Sequence, residues 1–238
     1  GTVEKYTPVE LTDIYVALYT DGTLVFSSDE SKINSSQLAS GWEVKNIKDD
    51  VYYWNDDDDH NEPVWYYSDY IENITKIAIL NKIVPKDNMI NWWFPGLYDL
   101  TSIEGLNNLD TSTTTDMEGM FSGCLSLTNL DLSTFDTSNV SDMSYMFDSC
   151  SSLRDLDLST FNTDNVTNMS YIFHNCTGST SLDLSNFNTS NVTSMCCMFN
   201  GCSGLNDLDL NNFNTNNALS IFNKQYILGC LNPLESNS

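Results

Sequence analysis

The sequence predicts an α/β solenoid: a right-handed array of 26-residue strand–helix units carried behind an N-terminal β-rich cap. Three observations predict it. Cys124, Cys150, Cys176 and Cys202 recur at a constant step of 26 residues. Two leucine columns keep the same step, Leu130, Leu156, Leu182 and Leu208 in one and Leu132, Leu158, Leu184 and Leu210 in the other. Within each unit the apolar spacing then changes from two to three or four, the periods of a strand and of a helix. Self-similarity at such a period is the signature of a stacked repeat.

The elements follow in chain order. Residues Ile14 to Phe26 alternate apolar side chains on both sides of Asp21-Gly22, a hairpin signal. A stretch rich in aromatics follows, with Trp42, Tyr52, Tyr53, Trp54, Trp65, Tyr66 and Tyr67, and further strands are expected there. The acidic run Asp56 to Asp59 with His60 reads as a solvated hairpin tip, because it lacks the alternating spacing of a calcium loop. Residues 1–73 are therefore assigned to the cap, 74–221 to the array with its degraded first repeat, and 222–238 to a C-terminal cap or truncated tail. Ile74, Ile77 and Ile79 imitate a strand of the array, and Trp92 and Trp93 suit closing the open end of its core.

The repeating unit reads approximately L-x-x-L-D-L-S-x-F-x-T-x-N-V-x-x-M-x-x-M-F-x-x-C. Leu130-Asp131-Leu132-Ser133 alternates and is read as a short strand, leucines inward and Asp and Ser outward. Val140, Met143, Phe147 and Cys150 fall three or four apart and are read as a short helix on the same core. Asn, Ser and Thr crowd the connection, and the threonine column Thr137, Thr163, Thr189 and Thr215 is expected to hydrogen-bond successive turns. One unit cannot bury its own apolar face, whereas stacked units can. Ile221 still falls on the methionine column, but Lys224 and Gln225 break the pattern.

The columns Leu-Asp-Leu-Ser-x-Phe-x-Thr-x-Asn-Val-x-x-Met and Met-Phe-x-x-Cys resemble the BspA-like leucine-rich repeats of bacterial surface proteins. The resemblance covers residues 74 to 221 and is specific within 106 to 213; Trp93-Phe94 and Leu106-x-x-Leu109-Asp110-Thr111-Ser112 resemble the opening repeat of that family. It implies export, display on a bacterial cell surface and binding of a host or community protein or glycan. It brings no catalytic residues.

Charge narrows the partners. The chain carries 33 Asp and Glu against nine Lys and Arg, a formal charge of −24. From Asp87 to Asn223 the one cation is Arg154, against sixteen carboxylates. Such a surface repels phosphate backbones and anionic headgroups, so neither nucleic acid nor membrane insertion is expected. The same charge also keeps a monomeric extracellular protein soluble.

The candidate binding surface is the outward face of the predicted strands: Asn129, Asp131, Ser133, Asp155, Asp157, Ser159, Ser181, Asp183, Ser185, Asp207 and Asp209. Stacked in register, Asp131, Asp157, Asp183 and Asp209 would repel one another and raise some of their pKa values. Two readings stand side by side: a stripe for a cationic ligand or for weakly held calcium, the only cofactor suggested, and a hydrogen-bonded structural ladder with the serines as donors. The cysteine ladder reads as a buried thiol stack in preference to disulfides. Cys197 and Cys230 are the thiols expected to be reactive. An enzyme is not expected, because the carboxylates repeat identically in every unit, whereas a solenoid hydrolase would need an acid and a base in one irregular turn. A hydrolase and a passive spacer remain the alternatives to a binding module.

Overall fold

The computed structural model describes residues 13–40, 43–46, 52–53, 62–63, 71–85, 90–206 and 208–214. The Asp21-Gly22 signal is realised as a hairpin. Strands β1 (Tyr15–Leu18) and β2 (Thr23–Ser27) pair antiparallel, Val16 opposite Phe26 and Leu18 opposite Leu24. Asp21 accepts from the Thr23 backbone N–H at 3.0 Å, and Gly22 takes the left-handed conformation at φ 81° that the turn needs. The two-residue β3 (Lys45–Asn46) flanks β1. β4 (Tyr52–Tyr53) and β5 (Glu62–Pro63) form a separate pair.

On the other side of the hairpin the pairing turns parallel. β6 (Lys76–Ile79) lies against β2, and β7 (Ser102–Glu104) against β6, giving one mixed sheet of order β3-β1-β2-β6-β7. This sheet joins residues on both sides of position 73. Gly105 ends β7 at φ 73°, where a Cβ would collide with the Ile79 carbonyl. Trp93 then closes the core as expected: fully buried, its ring stacks on Phe26 at 6.2 Å and meets Phe94 edge-on at 6.1 Å.

The α/β solenoid of strand–helix units is overturned. No α-helix occurs among the described residues, and the regular sheet is the small mixed one at positions 15 to 104. Among the described residues the Leu-Asp-Leu-Ser segments are not strands; on that side parallel bridges join Ile83 with Leu109 and Asn129 with Asp155. The segments read as helices are consecutive tight turns, and these carry the longer bridge series Asp116–Asp142–Asn168–Ser194.

The backbone hydrogen bonds explain why three-and-four spacing imitated a helix. Met146 N–H bonds to Met143 O, Asp148 to Tyr145 O and Cys150 to Phe147 O, each reaching back three residues. The alternate donors leave the unit: Met143 N–H bonds to Asn168 O at 3.0 Å, Tyr145 to Ser170 O, Phe147 to Ile172 O and Ser149 to His174 O. The unit from Met169 repeats this onto Ser194, Cys196, Met198 and Asn200. Half the amides thus close turns, and half tie each unit to the next, so the polar backbone is satisfied without a helix. The geometry requires left-handed residues at fixed places. One column, Trp92, Gly119, Tyr145, Tyr171 and Cys197, has φ between 52° and 60° throughout. A second, Gly96, Gly123, Ser149, Asn175 and Gly201, has φ between 56° and 77°.

Packing follows the 26-residue step. Phe121, Phe147, Phe173 and Phe199 are buried and stack ring on ring at 5.7 to 5.9 Å. Beside them lie Val140, Val166 and Val192, then Met143, Met169 and Met195. Leu132, Leu158 and Leu184 are buried as expected, whereas Leu210 is half-buried; in the other column Leu130 and Leu182 are covered, and Leu156 and Leu208 are half-buried. The threonine column bridges units twice over. Thr137 Oγ1 donates to Asn162 O at 2.9 Å and accepts from Asn162 N–H at 2.8 Å; Thr163 with Asn188 and Thr189 with Asn214 do the same. Thr215 and Ile221 lie outside the described residues, as do Lys224, Gln225 and the Asp56–His60 run.

Candidate functional site

The acidic face is built one turn at a time. In each unit the aspartate after the first leucine folds back on itself: the backbone N–H of Ser133 donates to Asp131 Oδ1 at 3.1 Å, Ser159 to Asp157 at 2.9 Å, Ser185 to Asp183 at 3.0 Å and Asn211 to Asp209 at 2.9 Å. Asp in this role makes a short side-chain turn. The consequence for charge reverses the expectation of raised pKa values. Hydrogen bonds from Ser133 lower Asp131, those from Ser159 lower Asp157, and those from Ser185 lower Asp183; the repulsion between Asp157 and its neighbours is the smaller effect. The turn that each of these three closes thus favours its charged form.

Two turns of this face enclose a shallow cleft of about 360 Å³ lined by Arg154 to Ser159, Ser181, Asp183, Ser185 and Asn186. Asn186 shapes one wall, its side-chain amide donating to Leu158 O at 3.0 Å and Phe161 O at 2.8 Å, which draws its turn onto the preceding one. The half-buried Leu156 supplies an apolar patch among carboxylates and hydroxyls. The cleft therefore offers fixed negative charge, hydrogen-bonding hydroxyls, a small apolar contact and one guanidinium.

Of the residues predicted for binding, Asp155, Asp157, Ser159, Ser181, Asp183 and Ser185 are brought together in this cleft. Asn129, Asp131 and Ser133 are exposed in the unit before it, and Asp209 in the unit after it. Asp207 lies outside the described residues. Sequence reasoning missed Asn186 and the exposure of Leu156. The change from threonine at 134 and 160 to asparagine at 186 and 212 was the available signal for the first; nothing in the repeat pattern marked the second. Calcium finds no cage in the ladder: among the described residues no group of three or more His, Cys, Asp or Glu side chains is placed to hold a metal ion.

A second set of side chains lines the opposite, tight-turn side. His174 Nδ1 lies 2.7 Å from Asp148 Oδ1, and its ring meets Tyr171 edge-on at 5.3 Å. Tyr171 stacks on Tyr145 at 4.7 Å, and Tyr145 approaches Trp92, whose indole covers Gly119 so closely that a Cβ there would strike it. The four laddered cysteines are buried and unbridged, and each thiol donates to a phenylalanine carbonyl of the preceding unit, Cys150 to Phe121 O and Cys176 to Phe147 O among them. Burial raises their pKa, that of Cys124 to about 12. The expected buried thiol stack is present. Cys196 and Cys197 are instead half-buried, and Cys230 lies outside the described residues.

Stacked 26-residue turns and a capping sheet define a repeat protein in architecture. The family described as "Mycoplasma protein of unknown function, DUF285" matches residues 89–180 and 158–224, together more than half of the chain. The chain belongs to that family. No curated protein and no solved structure matches it.

Proposed function

We propose that the chain is a secreted or cell-surface binding module that grips a cationic segment of a protein partner through the cleft between residues 154 and 186. The observation that carries the reading is the set of carboxylates fixed by hydrogen bonds within their own turns around a half-buried leucine. Long basic side chains pair an ammonium or guanidinium with an apolar stem, and this lining meets both. Repetition of the same turn before and after the cleft adds equivalent contacts along an extended ligand. The columns quoted above support placing the chain with the BspA-like leucine-rich-repeat surface proteins, for which a host or community protein or glycan is the expected partner.

The test compares the protein with a variant in which Asp131, Asp157, Asp183 and Asp209 are all asparagine. Asparagine keeps the oxygen that accepts the turn hydrogen bond and removes the charge. Both proteins are screened against immobilised extracellular proteins and glycans at low and high salt. Capture by the parent that weakens with salt and is lost in the variant is expected. Equal capture by the two proteins overturns the reading.

A further inference from the structure

Arg154, the one cation between Asp87 and Asn223, lines the acidic cleft. The same position in the neighbouring units holds the short neutral side chains Thr128, Thr180 and Asn206, so nothing in the repeat requires a guanidinium there. The side chain is exposed, and among the described residues no carboxylate pairs with it, although Asp155 and Asp157 follow it closely in the chain. The carboxylates are fixed by their turns instead. Asp157 accepts the Ser159 N–H on Oδ1 at 2.9 Å, and Asp183 accepts the Ser185 N–H on Oδ1 at 3.0 Å.

The cleft thus holds both signs of charge within about 360 Å³, at the lower end of the roughly 300–1,000 Å³ of small-ligand sites. A cation alone would satisfy the carboxylates and face an unmatched guanidinium; an anion alone would meet the reverse. A ligand that carries both satisfies the whole lining. Half-buried Leu156 stands in sequence between Arg154 and Asp157 and offers an apolar contact to the stem that joins the two charges. The turns also discriminate between basic groups. A guanidinium pairs best with both oxygens of one carboxylate, whereas an ammonium is a compact charge with three donors that can take single oxygens from two turns. An ammonium and a carboxylate joined by a flexible apolar stem occur in one residue where a chain ends in lysine. An internal lysine has an amide in place of that carboxylate and leaves the guanidinium unmatched.

We infer that the cleft is a site for the carboxy-terminal lysine of a protein partner, with Arg154 on the terminal carboxylate, Leu156 along the stem, and Asp157 and Asp183 on the ammonium. The inference rests on the binding role proposed above for this cleft and narrows its partner from a cationic segment to a chain end.

The experiment measures binding of three short peptides to the full chain by fluorescence anisotropy. The peptides differ only at the last residue: lysine with a free carboxylate, lysine as the carboxamide, and norleucine with a free carboxylate. Arg154→Gln is the comparison protein; the position is exposed and takes neutral side chains in the other units, so the variant is expected to fold, and its thermal melt is recorded alongside. The lysine acid is expected to bind the parent about tenfold tighter than either other peptide, the scale of one charge-assisted pair. In Arg154→Gln the preference for acid over carboxamide is expected to vanish, while the carboxamide binds at least as well as it does to the parent. No binding of the lysine acid, equal binding of acid and carboxamide by the parent, or an acid preference that survives in folded Arg154→Gln overturns the chain-end site. The two readings fail separately. If acid and carboxamide bind alike and both are lost when Asp131, Asp157, Asp183 and Asp209 are asparagine, the cationic cleft stands and only the chain end is removed. Equal capture of protein partners by the parent and that four-asparagine variant removes both.

Discussion

At the scale of single residues, the same hydroxyl stabilises or costs according to its neighbours. Thr163 is buried with its oxygen both donating to and accepting from Asn188 of the next unit. Thr114 is equally buried, but its hydroxyl finds no partner among the described residues. It stands in the column occupied by Val140, Val166 and Val192. Valine is nearly the same shape as threonine, so one substitution should have opposite effects at the two places. Thr163→Val is expected to cost about 1–3 kcal/mol by leaving buried backbone groups unmatched, and Thr114→Val to add about 1 kcal/mol by removing an unmatched one. Urea melts of the two variants read the signs directly. The threonine column was legible in the sequence because a hydroxyl repeated at a constant step has to meet its neighbours. Thr114 keeps the 26-residue step of the valine column, so its place was legible, but whether its hydroxyl meets a partner was not.

At the scale of the element, the tight-turn segment is where local pattern misled. Val140, Met143 and Phe147 point inward at intervals that a helix would also give, because turns closing three residues back have nearly the same period. What distinguishes them is the destination of the alternate amides, which leave for the next unit. Asp116 and Asp142 sit on that bridge series, and burial, then the Asp142 charge, raises the Asp116 pKa above its ordinary value of 3.8. An acid whose folded pKa is raised binds more protons folded than unfolded, so it costs stability increasingly as pH rises from about 3.8 through the folded value. Asp116→Asn keeps the acceptor for the Glu118 N–H. It is expected to raise the melting temperature at neutral pH and to leave it unchanged at pH 3. A variant that melts lower at neutral pH contradicts this assignment.

At the scale of the whole molecule, stability rests on continuity of the columns, and neighbouring leucines of one turn separate core from surface. Leu158 is 1% exposed while Leu156 is only half-buried in the cleft. Leu158→Ala is expected to cost about 2–5 kcal/mol through the cavity it leaves. Leu156→Ala should cost distinctly less and instead weaken capture of a cationic partner. Comparable losses at the two positions, read from denaturant midpoints, would show that Leu156 is core after all.

The sequence by itself determined the repeat, its 26-residue step, the hairpin around Asp21-Gly22, the burial of the cysteines and the role of the threonines. Each depends on side chains meeting their own copies one unit away, and periodicity encodes that. Only the tertiary structure decided that the units contain no helix. It also decided that Leu156 opens a cleft and that Trp93 joins the sheet to the first turn. The physical reason is common to all three. Where a backbone amide points, and which side chain a neighbouring turn leaves uncovered, depend on contacts between segments that the one-dimensional pattern does not specify.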